Sequence, residues 1–263
     1  MRFIDSRAVK HYLQGHSFRV ADVTRALEEC LVRWDSRNGK PSAMLDAVAR
    51  HPGQTFPGPL FEGQARTLIS VFQISEGERN IVMTKVAESD HGSGLGPLVI
   101  FQLHSRALDI PMRVELPLRA ILIGTPPAAG MHLVYLHVLE DSNENEWKYY
   151  GITSRDWNVR FMEHLGRRSA QGAKSRMTRK LSSLSESRLQ ELRGEVPSEP
   201  ALRSIASVIC AFGLSPDEAD QVEEEFIDRH SLKKTHNFGL NDLPGGKKGR
   251  QIAMDRRTER SKI

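Results

Sequence analysis

Five groups spread along the chain have the types needed for one piece of chemistry. Two are phenols, Tyr135 in LVYLHVLE and Tyr149 in WKYYGITSRDW. Arg160 lies nine residues past Gly151, and His164 four residues further on. The fifth is Glu223 in SPDEADQVEEEFI. One carboxylate offers hard oxygen, which suits Mg²⁺, an ion that keeps most of its waters and takes further ligands from phosphate. An arginine can hold non-bridging phosphate oxygens, and a phenol or an imidazole can take a proton from water. A divalent metal would stabilise the alkoxide that develops on the leaving group. Together the groups suit phosphodiester hydrolysis. A single carboxylate is too few for a dedicated zinc or calcium cage.

Such groups must be carried to one place by regular elements. His132–Leu139 alternates and is β-prone, Glu140–Glu146 is a polar turn, and Trp147–Ile152 is a second strand. The two make a hairpin. A strand's period of two puts Leu133, Tyr135 and His137 on one face, and Tyr149 with Gly151 on one face of its partner. Tyr150 then points the other way and serves the core. Asp156 can cap a helix over Trp157–Gly166, on which Arg160 and His164 stack as an i, i+4 pair. Ser204–Phe212 fits a short helix or a buried strand, and Ile205, Val208 and Ile209 lean it toward strand. Ser215, Pro216 and Glu218 spell a helix start with a capping box. On that helix Ala219, Val222, Phe226 and Ile227 form an apolar stripe, and Glu223 falls inside it. A carboxylate there is costly unless a charge meets it. A salt bridge to a nearby arginine is the structural alternative to a metal ligand or a general base.

The chain has 263 residues, room for one large domain or two modest ones. GTPPAAG, Gly124–Gly130, reads as a linker. It separates an α+β N-terminal domain over 1–125, of unknown role, from a second domain over 131–246 and a basic C-terminal tail over 247–263. The first domain shows helical spacing over Val20–Trp34 and strand-like runs around Asn80–Glu88, Leu98–Arg106 and Met112–Gly124. It carries no chemical motif, and His104 and His132 stand alone. No apolar run is long enough to span a membrane, and the start MRFIDSRAVKHYL lacks the apolar core of a signal peptide. Cys30 and Cys210 lack metal-ligand spacing and read as free thiols of a reducing cytoplasm. The net charge of +4 leans toward an anionic partner. Arg167, Arg168, Lys174, Arg176, Arg179 and Lys180 form a basic cluster without an acid among them, which points to phosphate contact. The Ser/Arg-rich stretch Lys174–Arg188 reads as partly mobile.

These residues resemble the GIY-YIG nuclease family. Leu133-Val134-Tyr135 stands at the first motif, Tyr149-Tyr150-Gly151 at the second, and Arg160 with His164 matches the Arg-x-x-x-His helix. Glu223 resembles the catalytic glutamate, and HNFGLNDLPGG (His236–Gly246) the closing segment, whose asparagine is Asn241 rather than Asn237 because a glycine stands two residues before it. The first motif keeps just its tyrosine, and Tyr150 replaces isoleucine in the second. The resemblance covers about Met131–Gly246. It implies a small three-stranded antiparallel sheet flanked by helices, cleaving DNA with Mg²⁺ or Mn²⁺. It implies Glu223 as metal ligand, Arg160 as phosphate clamp, and Asn241 as a residue holding the site together. Tyr135 would activate water with help from Tyr149 or His164, and His164 is a rival for the base. Cutting both strands calls for two protomers, a homodimer, or two events. The competing expectation is a nucleic-acid-binding module without cleavage.

Overall fold

The apolar run of Ser204–Phe212 is a strand, and it decides the architecture. In the computed structural model, which describes residues 3–13, 18–38, 67–76, 79–88, 97–123, 131–154 and 175–260, it is the core of a 13-residue strand, Leu202–Leu214. Its residues Ile205, Ala206, Val208, Ile209, Cys210 and Ala211 are all buried, so both of its faces are covered. A continuous apolar run is what a strand needs when neither face meets water.

In chain order the elements are helices α1 (Ser6–Leu13) and α2 (Val20–Asn38), then strands β1 (Thr67–Glu76), β2 (Arg79–Glu88), β3 (Leu98–Ser105) and β4 (Ile110–Pro117). Strands β5 (His132–Asp141) and β6 (Glu146–Thr153), helix α3 (Arg176–Leu192), strand β7 (Leu202–Leu214) and helices α4 (Pro216–His230) and α5 (Gly246–Arg260) complete it. The strands form one seven-stranded mixed sheet in the order β2-β1-β3-β4-β7-β5-β6. Neighbours β1–β3 and β4–β7 are parallel, and the other pairs are antiparallel.

This corrects the expected small three-stranded antiparallel sheet. Strands β7 and β6 each pair antiparallel with β5 between them, but the three are one end of a larger sheet. Met112–Glu115 of β4 pairs in parallel with Ile205–Val208 of β7 and joins the two halves of the chain. A pairing between strands so far apart in sequence leaves no turn signature to read. Strand β1 also lies outside the three strand-like runs read for this half. The Ser/Arg-rich stretch is corrected too. It is largely helix α3, which starts on a Ser175 cap and buries Thr178, Ser185 and Ser187 beside Met177, Leu181 and Leu184.

Two apolar clusters lie against the sheet. One unites α1, α2 and α3 with Ile69, Val99, Val114, Leu133, Tyr135 and Ile209. The other packs Phe226 and Ile227 of α4 on Val134, Leu136, Val138 and Tyr150. Consecutive residues of β5 and β6 therefore alternate between the clusters, as a period of two demands. Helix α4 begins on the expected capping box, with Ser215 and Glu218 bonding each other's backbone. Among the described residues no helix is long and apolar enough to cross a membrane.

Candidate active site

The hairpin places its phenols as its periodicity requires. Tyr135 faces Gly151 across the β5–β6 ladder, and His137 faces Tyr149. The Tyr135 and Tyr149 rings lie 6.5 Å apart, and the His137 ring lies 4.7 Å from Tyr135 and nearly parallel to Tyr149. His137 is fully buried, its Nδ1 2.9 Å from Ser207 Oγ on β7. The glycine after the tyrosine pair has a steric reason. A Cβ on Gly151 would lie 2.6 Å from Tyr135 Oη and 2.8 Å from Cζ. The phenol of Tyr135 folds over the one residue of β6 that has no side chain. Tyr150 points into the opposite cluster, its ring 5.3 Å from Phe226, and burial pushes its hydroxyl well above the ordinary tyrosine range.

Strand β6 is the outer strand of the sheet, so every second backbone group on it faces outward. The downstream chain caps these groups in turn. Lys148 donates its N–H to Phe238 O at 3.0 Å and accepts from Leu240 N–H at 2.8 Å. Asn241 does the same for Tyr150 with a side chain. Its Oδ1 accepts the Tyr150 N–H at 3.0 Å, and its Nδ2 donates to Tyr150 O at 2.9 Å. Ser231 Oγ also donates to Asn241 Oδ1, at 2.7 Å. Next along the edge, the Ile152 N–H faces the carboxylate of Glu223 and weakly favours its charged form. Asn241 and Glu223 thus occupy successive rungs of one strand edge.

Glu223 reaches that edge from α4, on the side of the sheet opposite Tyr135. It is half-buried, at the rim of the apolar stripe rather than within it. A second N–H, from Gly246 at the start of α5, meets its Oε2 at 3.0 Å. Burial pushes the Glu223 carboxyl above its ordinary value, and the neighbouring Asp220 adds to the rise. The Gly246 N–H, Arg250 and the Ile152 N–H pull the other way without cancelling it. The arginine near Glu223 is bonded elsewhere: both Arg250 amines donate to the carboxylate of Asp220. Asp220, not Glu223, is the buried acid of α4. It falls within ~20° of Ile227 on a helical projection, so the same stripe that flagged Glu223 could have flagged it.

The start of α5 is fitted closely to α4. A Cβ on Gly245 would lie 2.7 Å from Glu224 N, and one on Gly246, whose φ is +61°, would lie 2.7 Å from Asp220 O. Lys247 adds an ion pair to Asp217 at 2.8 Å.

Of the expected site residues, Tyr135, Tyr149, Glu223 and Asn241 gather around β6. Tyr135 and Glu223 approach the consecutive residues Gly151 and Ile152, one over a face and one at the edge. Arg160 and His164 lie outside the described residues, as do the helix over Trp157–Gly166 and Arg167, Arg168 and Lys174. Arg176, Arg179 and Lys180 are on the first turns of α3, with Arg179 exposed. The Arg176 N–H donates to Asp242 at 3.3 Å, which ties the start of α3 to the residue after Asn241. Lys180 is half-buried against an aromatic ring. Its Nζ sits 3.8 Å above the Trp147 ring, and burial lowers its affinity for a proton. Among the described residues no group of three or more His, Cys, Asp or Glu is placed to hold a metal ion. A groove of about 840 Å³ lined by Ile4, Thr24, Glu28 and Val32 shares none of these residues.

His137, Ser207, Asp220 and Arg250 belong to this neighbourhood without having been singled out from sequence. His137 was legible as a residue two along from Tyr135. Arg250 was hidden in a basic tail whose helical form has no apolar stripe to announce it. No family model matches the chain, and no curated protein or solved structure matches it significantly.

Proposed function

We propose that the protein is a divalent-metal-dependent DNA endonuclease of the GIY-YIG type, hydrolysing phosphodiester bonds. The observation that carries this reading is that Tyr135 lies over Gly151 while Glu223, from the other side of the sheet, approaches the edge of the same strand at the next residue, Ile152. A carboxylate bonded by one backbone N–H, with a second facing it, still has lone pairs for a cation. Its upward-shifted pKa marks a buried negative charge that lacks a full counter-charge, and a cation would offset it. Glu223 therefore fits a site for Mg²⁺ or Mn²⁺ completed by substrate phosphate and water. There the ion would supply Lewis-acid stabilisation of the departing alkoxide.

The chain's own groups do the rest. By the family resemblance Tyr135 would take the proton of the attacking water, where cationic neighbours favour the phenolate. An unperturbed phenol has a pKa of about 10, so that positive charge is essential. Arg160 supplies it by the family resemblance and clamps the scissile phosphate. His164 is the rival base, and Tyr149 lines the same face as Tyr135. Asn241 keeps Tyr150 in register and so holds Gly151 beneath the phenol.

A plasmid incubated with the protein and Mg²⁺ or Mn²⁺ is expected to be cut, and EDTA should stop the cutting. Glu223→Gln should fold, still bind DNA and fail to cut. A second reading has one observation in its favour: the Glu223 carboxylate already braces Ile152 and Gly246, a purely structural task. If wild type retards the plasmid on a gel but leaves it intact with either ion, a non-cleaving DNA-binding module replaces the nuclease.

A further inference from the structure

Helix α5 has no ordinary reason to be where it is. Its sequence, GKKGRQIAMDRRTER, carries Lys247, Lys248, Arg250, Arg256, Arg257 and Arg260 against Asp255 and Glu259. Its apolar residues Ile252, Ala253 and Met254 are consecutive, so they point in three directions rather than forming a stripe. Met254 is exposed. A helix polar all round does not earn its place by burying a face. The same lack of a stripe argues against a membrane surface, which takes helices with a broad apolar side.

The helix is nevertheless fixed, by polar means, at one end. Gly245 and Gly246 permit a backbone approach to α4 that a side chain would forbid. Gly246 bonds Glu223, Lys247 pairs with Asp217, and Arg250 grips Asp220 with both amines. Lys248, between these anchors, is exposed. The segment that leads into α5 also holds α3, through Asp242 and the Arg176 N–H. The stretch that carries Asn241 thus leads into α5 and also bonds the first residue of α3.

We infer that α5 is a duplex-DNA backbone arm, clamped at its first turn, whose remaining cations contact phosphates. This rests on the nuclease reading for its choice of partner. Glycines and ion pairs hold the root, and the net positive charge beyond it meets phosphates without reading bases.

The test is binding of a fluorescein-labelled 30-base-pair duplex in EDTA, followed by anisotropy from 50 to 300 mM NaCl. The variant is Lys248→Gln/Arg256→Gln/Arg257→Gln, which leaves Lys247 and Arg250 in place and is checked for wild-type melting. Each lost phosphate contact lowers the slope of log K against log salt by about 0.9. Two to three contacts should lower it by about 2–3, with a drop in affinity of about tenfold to a hundredfold at 100 mM salt. Cleavage of plasmid at 50 mM salt should survive, more slowly. If the variant matches wild type in slope and affinity while wild type cuts plasmid, the arm is overturned and the nuclease stands. If wild type neither binds the duplex nor cuts plasmid, both are overturned.

Discussion

Replacing Gly151 with alanine tests the packing on which the site depends. The new Cβ would lie 2.6 Å from Tyr135 Oη, 2.8 Å from Cζ and 3.3 Å from Cε2. Comfortable carbon contacts begin at roughly 3.5 Å, so the ring must move by about 1 Å. A free tyrosine could swing aside at little cost. Tyr135 is 1% exposed, with His137 against its ring, and has nowhere to swing. Overpacking of this kind costs about 1–3 kcal/mol. Alanine also restricts the unfolded chain, which returns about 0.4–1 kcal/mol. The net expectation is a loss of about 1–2 kcal/mol, read as a lower midpoint in urea. On the proposed nuclease reading, activity should suffer more than stability, because a displacement of ~1 Å in a catalytic group can cost ~10²-fold in rate. Plasmid cleavage well below the melting temperature measures that. Tyr135→Leu in the same chain should recover part of the lost stability and none of the activity. Equal stability and equal cleavage in Gly151→Ala would refute the placement of the phenol over Gly151.

Asn241→Ala leaves the N–H and the C=O of Tyr150 and the Ser231 hydroxyl without their partner in the interior, and should cost about 2–4 kcal/mol in chemical denaturation. Asn241→Asp keeps the acceptor but loses the donor to Tyr150 O, so it should not rescue stability at neutral pH. Arg250→Ala strands the Asp220 carboxylate, which is 7% exposed, and should cost about 1–3 kcal/mol, less than a fully buried pair because Arg250 is itself 51% exposed. Adding Asp220→Asn should recover most of that loss. For Glu223 the folded pKa lies above the unfolded one, because burial disfavours the charged form. Its stabilising contribution is therefore complete below the unfolded value, about 4.3, and is lost as pH rises through the folded value. Glu223→Gln should match wild-type stability near pH 4 and exceed it at neutral pH, which thermal melts across that range would show.

What was legible in the sequence was local. The hairpin could be read because alternation and a polar turn lie within twenty-odd residues, and the start of α4 because its capping box spans four residues, Ser215–Glu218. The facing of Tyr135 and Tyr149, and the inward turn of Tyr150, followed from the period of a strand. What could not be read was the partner of each edge. Strand β7 has apolar residues on both faces, which announces an interior strand, but nothing in SIASVICAF names β4 as its parallel neighbour. The polar residues of α3 misled in the same way. Composition marks Ser185 and Ser187 as solvent-seeking, whereas packing beside Leu181 and Leu184 buries them. The partner of Asp220 was hidden because Arg250 lies thirty residues on in a segment with no periodicity of its own.

The edge of β6 frames the question of what Glu223 is for. Asn241 and Glu223 cap neighbouring rungs of that edge, and their chemistry differs. At Tyr150 the strand offers a donor and an acceptor, and a neutral amide satisfies both without a desolvated charge. At Ile152 and Gly246 the groups offered are two N–H donors, and the carbonyl of a glutamine could accept from both. A half-buried carboxylate does that structural task at a cost, seen in its raised affinity for a proton. The acid beside it, Asp220, has an arginine gripping it with both amines, while Glu223 has two backbone amides. A neutral amide would do the structural task without that cost. A carboxylate kept at the end of the strand that carries Gly151, with the Tyr135 phenol over that glycine, is what a cation-dependent reaction would require. The neutral-pH stability of Glu223→Gln therefore weighs directly on function: a variant less stable than wild type would make the carboxylate a structural brace and remove the physical reason for placing a metal there.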